Sequence, residues 1–390
     1  MANKITLVVA NSTSNGNDVY YPFASGTANP VVATQAQSQV RMNFAGSASN
    51  LTFKVISNAG GIQTLYIQKN GANAISIATT SGGTGVFKNT TDTLSWVAGD
   101  DLNFYVERTG TSQFGMISCD IETADDYNIL STWGSAIQSS TASSLLGNLG
   151  SIGASNAVQR ITSLFEQTLE YLSVHVTANT RDSDTDFYPF IEGVQGNNIV
   201  TFPASTTGMI EDTSNTDVLD ATDRTQTRRV TNTGTGSITT ARTTFCLKPN
   251  VVDNVQYAAE QTISTFGTDN TVFSLIGSYQ SFASSNISLL EWEVPANMTI
   301  SNWNIALNTN GLSTDGVFTM YKNGSPTSLV ITVTAGVAGY YENTVDSISC
   351  VAGDLLVGVF NRTAGSRTCA PRNMSFKTIY DSYIPIGVVL

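Results

Sequence analysis

One segment of this chain occurs twice, and the repeat limits the folds that the chain can adopt. Residues 85–109 read GVFKNTTDTLSWVAGDDLNFYVERT, and residues 339–363 read GYYENTVDSISCVAGDLLVGVFNRT. Twelve of the twenty-five aligned positions are identical. A Lys-Asn-Gly turn precedes each copy, at residues 69–71 and 322–324. Self-similarity of this kind predicts that the chain is built from copies of one supersecondary unit.

A weaker third copy lies between these two. Residues 207–213 (TGMIEDT) align with residues 84–90 (TGVFKNT), and residues 190–193 then fall near residues 67–70. The middle copy lacks the Val-Ala-Gly-Asp tetrapeptide of the outer copies and carries a longer acidic stretch in its place. Three units of ordinary domain size fill the chain. We predict units at 1–123, 124–252 and 253–390, with a Ser/Gly-rich lead-in to the divergent second unit at 134–157.

The pattern of apolar residues within each unit is typical of β-strands. Leu51, Phe53 and Val55 alternate with polar residues, and such alternation predicts a strand with one buried face. Asn-Gly and Gly-Gly pairs separate the runs and suit tight hairpin turns. We therefore predict an all-β fold of three tandem antiparallel β-sandwich domains that are jelly-roll-like.

One stretch also fits a helix. Apolar residues between Val158 and Leu172 recur mostly at spacings of three and four residues, after a candidate cap at Ser155-Asn156. The repeat alignment instead places part of this stretch opposite Val40–Phe44, which alternates. We expect a strand from Leu172 to Val176, and the stretch before it leaves room for a short helix.

Composition excludes several classes of partner. The chain has a formal net charge of −12, whereas nucleic-acid binding needs a basic face that neutralises phosphates. No segment reaches the ~18–20 apolar residues of a membrane helix. The N-terminal run from Ile5 to Ala10 reads as a first strand and lacks a signal-peptide cleavage pattern. We expect no nucleic-acid partner and no membrane insertion, and we expect the chain to be made and folded in a cytoplasm.

Few residues support a catalytic site, so we expect that the protein is not an enzyme and uses no cofactor. The single histidine, His175, lies in a predicted strand and faces away from its flanking valines, without the glycine-rich elbow of a hydrolase. The four cysteines show no metal-binding or disulfide spacing. Cys119, Cys246 and Cys350 are predicted to be buried thiols, and Cys369 to lie in a loop.

Two further features are candidates for binding. Asp182, Asp184 and Asp186 could converge on calcium, but Phe187 stands where the helix–loop–helix calcium motif needs glycine, which favours a solvated acidic loop. The C-terminal end is apolar and without side-chain charge, so we predict a contact between subunits there. The predicted interface residues are Ile384, Ile386, Val388, Val389 and Leu390.

Aromatic clusters offer an alternative role. Clusters of aromatic residues occur at 20–23, 187–190 and 340–341, and their rings could stack on sugars. The core of a β-sandwich, however, buries most of its aromatic side chains. Core packing or contacts between units are therefore the expected use of most of these rings.

The outer copies resemble a known type of module. Their pattern is a Lys-Asn-Gly hairpin, a polar stretch, and then D-[TS]-[LI]-S-x-V-A-G-D before a strand. It is similar to the jelly-roll modules, of the C1q and tumour-necrosis-factor type, of tailed-bacteriophage virion proteins. The resemblance implies a particle surface component: a capsid decoration protein, a head fibre or a tail spike. It assigns no active residue.

Two roles follow from this resemblance. The first is a virion structural protein that contacts capsid or other virion proteins, and modules of this type often form homotrimers. The second is a tail fibre or spike that binds a receptor or host-surface glycan. The chain shows no heptads or collagen-like repeats of a trimerising stalk, which favours the first role.

Overall fold

The computed structural model is nearly all β. It describes residues 4–10, 18–23, 34–123, 127–133, 137–138, 142–144, 161–231, 233–251, 254–260, 266, 271–273, 275, 277–278, 281–283, 287–362 and 368–381. The predicted all-β fold of antiparallel sheets is confirmed. The apolar residues 384–390 lie outside the described residues, so the predicted contact there stays a prediction.

The strands fall into three consecutive groups, which we call the first, middle and third units. Each group forms two sheets. The first unit contains a four-residue helix, α1 (Gln35–Ser38), and the strands β1 (Lys4–Ala10), β2 (Val19–Pro22), β3 (Val40–Arg41), β4 (Gly46–Asn58), β5 (Gln63–Lys69), β6 (Ala72–Ala78), β7 (Gly85–Asn89), β8 (Leu94–Trp96), β9 (Asp101–Arg108) and β10 (Ser112–Thr123).

The middle unit contains the next twelve strands. These are β11 (Asn128–Trp133), β12 (Ile137–Gln138), β13 (Ala142–Ser144), β14 (Ile161–Thr162), β15 (Gln167–Asn179), β16 (Thr185–Ile191), β17 (Val194–Gln195), β18 (Val200–Phe202), β19 (Gly208–Asp212), β20 (Asp217–Leu219), β21 (Arg224–Thr231) and β22 (Ile238–Pro249). The predicted strand at Leu172–Val176 is confirmed within β15.

The third unit completes the chain with a second four-residue helix, α2 (Ile287–Leu290). Its strands are β23 (Asn254–Glu260), β24 (Thr271–Phe273), β25 (Gly277–Ser278), β26 (Ser281–Ala283), β27 (Trp292–Glu293), β28 (Met298–Asn310), β29 (Gly316–Lys322), β30 (Ser325–Val333), β31 (Gly339–Cys350), β32 (Leu355–Arg362) and β33 (Cys369–Tyr380). One short pair, β23 with β25, is parallel.

All three units share one strand order. In the first unit, one sheet runs β1-β10-β4-β7 and the other β2-β9-β5-β6. The middle unit repeats these orders as β11-β22-β15-β19 and β13-β21-β16-β17, and the third unit repeats their cores as β23-β33-β28-β31 and β24-β32-β29-β30. The exact unit boundaries stay a prediction, but equivalent positions can now be assigned strand by strand.

The pairing corrects the sequence alignment of the middle unit by one residue. Glu192 and Gly193 have φ of 45° and 90°, close to the 51° and 84° of Asn70 and Gly71. The hairpin turn of the middle unit is therefore residues 192–193, and Ile191 stands where the first unit has Lys69. The sequence alignment had set Glu192 against Lys69, because a one-residue slip in a weak match costs little in similarity.

The Val-Ala-Gly-Asp tetrapeptide is a turn that precedes β9 and β32. The middle unit lacks this tetrapeptide but keeps the turn, with the sequence Asp-Ala-Thr-Asp. In each unit a backbone N–H donates to the carboxylate of the closing aspartate over 2.9 Å, from Val97 to Asp100, from Asp220 to Asp223 and from Val351 to Asp354. The carboxylate therefore holds the turn closed in all three units.

The cysteines are buried free thiols, as predicted for three of them. The prediction for Cys369 is wrong, because this residue begins β33 and its side chain is fully buried. Burial raises the pKa of the Cys369 thiol to about 12. Cys350 and Trp96 occupy equivalent, buried positions, as the alignment predicts.

Candidate interface at the seams between the units

Each unit brings two surfaces to its neighbours. The first, which we call the sheet patch, lies on the outward face of the sheet that holds the longest strands. Equivalent patch positions are Lys54, Lys88 and Asp120 in the first unit, His175, Glu211 and Cys246 in the middle unit, and Ala306, Glu342 and Lys377 in the third. The second surface, the rim, follows the short strands β3, β14 and β27 as residues 41–44, 162–165 and 293–296.

The patch of the first unit contacts the rim of the third. Lys54 donates from Nζ to the backbone oxygen of Glu291, and Lys88 forms an ion pair with Glu293. A cavity of about 350 Å³ remains beside these contacts, lined by Asp120 from the patch and Pro295 from the rim, among others. This seam joins segments that lie more than 200 residues apart in sequence.

Lys54 is the most buried charge of this seam. Its side chain belongs to the polar face of β4, yet only 4% of the residue is exposed because the third unit covers it. Burial lowers the pKa of Lys54 to about 8, since an apolar environment disfavours the charged form. Lys54 is therefore a group whose protonation depends on the closed seam.

The patch of the middle unit contacts the rim of the first. The Cys246 thiol donates to Oδ1 of Asn43 over 3.1 Å, and the rings of Phe44 and Tyr127 stack with centroids 4.6 Å apart. Arg41 bonds to Asp101 at 3.1 Å, which raises its pKa, and Glu211 of the middle patch raises it further.

The patch of the third unit contacts the rim side of the middle unit. The guanidinium of Arg224 lies over the ring of Tyr340, 4.3 Å from its centroid. Lys377 lies 5.7 Å from the ring centroid of Phe165. Both distances are within the range of cation–π attraction. The three units thus contact one another in all three pairs.

The three seams are equivalent. Asp120, Cys246 and Lys377 hold the same place in the last strand of each unit, and each meets the same rim segment of its neighbour. The contact is heterologous, because a patch always meets a rim, and repetition of such a contact either closes a ring or extends a filament. Here three copies within one chain close a ring with pseudo-threefold symmetry.

The predicted metal candidates do not form a site. Asp182 accepts hydrogen bonds from Thr235, Asp184 from the backbone of Ala204, and Asp186 from the hydroxyl of Thr201. Among the described residues, no group of three or more acidic, histidine or cysteine side chains could hold a metal ion. The aspartates instead fasten neighbouring strands and loops.

His175 faces outward from its strand, as alternation predicts, at the patch position equivalent to Lys54. It is half-buried on the outward face of β15, beside Arg242 in the register. Burial lowers the pKa of His175, and the charge of Arg242 lowers it further, whereas Asp101 of the first unit acts in the opposite direction.

Sequence reasoning missed the charges at the seams. Lys54, Lys88 and Glu293 look like ordinary solvated residues of an alternating strand or a loop. A signal was present once the copies were aligned: the equivalents of Lys88 and Glu293 are Glu211 and Arg41, with both charges reversed. When the charges at two positions reverse together between copies, the two side chains are expected to face each other.

Comparisons with known proteins add little to this picture. No family model matches the chain, and no curated protein matches it. A solved structure to which it is similar is described as "Structure of infectious bursal disease virus Gx strain", at 8% identity and a TM-score of 0.20, over 98% of this chain and 82% of that chain. A likeness this weak carries no argument. Among the described residues, no helix is long and apolar enough to span a membrane.

Proposed function

We propose that this protein is a structural component of a virus particle, a bacteriophage surface-decoration or head-fibre protein that acts through protein–protein interfaces. The observation that carries the proposal is the ring of three β-sandwich units joined by three equivalent seams. Such a ring is a preformed frame, so it presents a large outward surface at little cost in conformational entropy on binding. The partners would be capsid or other virion proteins.

The resemblance of the outer copies to virion modules agrees with this role. The Lys-Asn-Gly hairpin and the turn at residues 97–100 belong to the scaffold, because they fold back on each other through the Asn70–Asp100 hydrogen bond. They would therefore stabilise each unit in a particle without contacting a ligand. A decoration protein needs this kind of stiffness more than it needs a pocket.

A binding experiment with particles tests the proposal. Purified full-length protein is mixed with particles that lack it, and the particles are sedimented. We expect saturable co-sedimentation, with little uptake by control particles that already carry the protein. An absence of uptake by the deficient particles would contradict the proposed role.

One observation favours a second candidate, the binding of a host-surface glycan. Three half-exposed tyrosines form a row across neighbouring strands of the first unit: Tyr20 stacks on Tyr105 at 4.7 Å, and Tyr66 stacks on Tyr105 at 5.7 Å. The hydroxyls of Tyr105 and Tyr66 donate to the carboxylates of Asp18 and Glu107. Aromatic faces beside carboxylates can hold the apolar and hydroxyl faces of a sugar.

The other units differ at these positions. Tyr188 and Arg228 of the middle unit correspond to Tyr66 and Tyr105, and Arg228 packs over Phe190 at 4.5 Å. In the third unit the two positions are Thr319 and Val359, both buried. The row is therefore a property of the first unit and not of the shared scaffold.

A glycan array separates the two functions. We expect the double variant Tyr66→Ala, Tyr105→Ala to lose any glycan signal that the wild type shows, while co-sedimentation with particles persists. Tyr188→Phe is the control at the matched position of the middle unit. Equal signals from the wild type and the double variant would exclude the tyrosine row as a glycan site.

A further inference from the structure

The charges at the seams differ from one seam to the next, although the positions are the same. Lys88 meets Glu293 where the first patch contacts the third rim. Glu211 and Arg41 hold the same two positions where the middle patch contacts the first rim, and the charge of Glu211 contributes to the raised pKa of Arg41. At the third seam the equivalent residues are Glu342 and Thr162. Two seams therefore carry opposite charges, with the sign reversed between them.

We infer that these charges assign each unit its neighbour, so that one chain closes as a ring of three units instead of joining other chains through its patches. The inference rests on what the same positions would do in any other arrangement. Unlike charges favour a contact and like charges oppose it, and specificity often depends on the opposed contacts.

Assembly of three identical units from separate chains is opposed by this pattern. If first units met one another, Lys88 would face Arg41, and two positive charges would lie together. If third units met one another, Glu342 would face Glu293, and two negative charges would lie together. The middle units would bring Glu211 to Thr162, which is neutral.

The opposite cyclic order is also less favourable. If each patch met the other available rim, Glu211 would face Glu293, Glu342 would face Arg41, and Lys88 would face Thr162. That order has one attractive and one repulsive pair, whereas the observed order has two attractive pairs. The observed order is therefore the one with two attractive pairs and no like-charge pair at these positions.

The middle patch also differs from the other two in a buried position. Arg242 is fully buried beneath the middle patch, and its Nη2 lies 3.5 Å from Sδ of Met209. Met116 holds the equivalent position in the first unit and Asn373 in the third. Among the three units, only the middle one therefore has a cation at this position.

The three units of one chain occupy the places that three chains would occupy in the expected homotrimer. The resemblance to trimeric modules implied three chains around one axis, but here one chain supplies three different units around it. The frame then carries different side chains on its three outward faces, such as the row of Tyr20, Tyr66 and Tyr105 on the first unit alone. A repeated chain could not place a single such row on a threefold frame.

A double-mutant cycle on the full-length chain tests the inference. We expect Lys88→Glu and Glu293→Lys each to lower the midpoint of thermal unfolding by a few degrees, and the combined exchange to recover most of the loss. Glu342→Gln is the matched control and should change the midpoint less than either charge reversal, because the equivalent rim residue, Thr162, is neutral. A combined variant no more stable than the single variants would overturn the inference.

The mass in solution gives an independent test that needs no particle. We expect the wild-type chain and Lys88→Glu to sediment at the same mass, because the Lys88–Glu293 pair lies within one chain. An assembly of several chains that Lys88→Glu alone dissociates would place this ion pair between chains and would overturn the inference. Because both measurements use isolated protein, their outcome is separate from that of the particle-binding experiment.

Discussion

Asn70 Nδ2 lies 2.7 Å from Asp100 Oδ1, and this bond joins the Lys-Asn-Gly hairpin to the Val-Ala-Gly-Asp turn. The third unit repeats it between Asn323 and Asp354 at the same 2.7 Å. The two most recognisable motifs of the repeat are thus halves of one structural element. This explains why both recur together in the outer copies.

The carboxylate of Asp100 should contribute to stability through this element. Hydrogen bonds, first from Val97 and then from Asn70, lower its pKa to about 2. A lowered carboxyl pKa stabilises the folded state above the usual value of 3.8, and the contribution is lost as pH falls towards 2. We expect Asp100→Asn to destabilise the protein by about 1–3 kcal/mol near neutral pH.

The measurement is chemical unfolding of the wild type and Asp100→Asn between pH 2 and 7. The difference in unfolding free energy between the two proteins should shrink as the pH approaches 2. Asp381→Asn, a change of an exposed residue after β33, is the control and should have a small effect at every pH. A difference that does not depend on pH would contradict the role of the ionised carboxylate.

The residue before the closing aspartate offers a reciprocal pair of substitutions. Gly99 has φ of +94°, and Thr222 has φ of +84° at the equivalent place. A β-branched residue is strained there, whereas glycine is not. We expect Gly99→Thr to destabilise the protein by about 1–3 kcal/mol, and Thr222→Gly to stabilise it by about 1 kcal/mol.

Thermal unfolding of both variants checks this prediction. No atom outside the local backbone lies within 4 Å of a side-chain carbon built on Gly99, so a clash cannot account for a loss of stability there. If the two variants changed the thermal midpoint in the same direction, backbone conformation would not control the stability of the turn.

Lys54 should make stability depend on pH in the alkaline range. Its pKa is about 8 in the folded protein against an ordinary value of 10.5, so the unfolded state binds more protons between these values. The cost of burying the charge is therefore full below pH 8 and disappears as the pH rises towards 10.5. The shift corresponds to about 3 kcal/mol.

The comparison is between the wild type and Lys54→Met, whose unbranched side chain is one heavy atom shorter and carries no charge. We expect the wild type to gain stability relative to the variant as the pH rises from 7 to 10.5. A relative stability that stays constant over this range would contradict burial of Lys54 at the seam.

A chelator should leave the protein unchanged. Asp182 and Asp186 already accept hydrogen bonds from Thr235 and Thr201, and no metal-binding group of side chains occurs among the described residues. We expect the same thermal midpoint with and without a chelator of divalent cations. A clear drop would restore Asp182, Asp184 and Asp186 as ligands.

Local features of the fold were predictable from the sequence because they depend on neighbouring residues. Alternation in Leu51–Val55 predicts a strand whose apolar face is buried, and Leu51, Phe53 and Val55 are indeed fully buried. The glycine at 99 predicts a backbone conformation that glycine adopts easily, and its φ agrees. Each of these patterns involves only a few consecutive residues.

The middle unit shows where such patterns fail. Its two turns have Glu192 in place of asparagine and Thr222 in place of glycine. The residue types therefore differ, while the backbone conformations are similar. The replacement side chain keeps the same hydrogen bond: the backbone N–H of Arg224 donates to the Glu192 carboxylate over 2.7 Å, as the N–H of Asp101 donates to the side chain of Asn70. Similar geometry from different residues is visible only in three dimensions.

The sequence by itself determined the repeat, the all-β fold and the turns, because alternation and turn preferences act over short distances along the chain. Only the tertiary structure decided that Lys54 is buried, that Lys88 faces Glu293, and that the three units close into a ring. The physical reason is that a charge on the outward face of a strand is solvated or paired according to what covers it, and here the cover comes from a unit that lies more than 200 residues away.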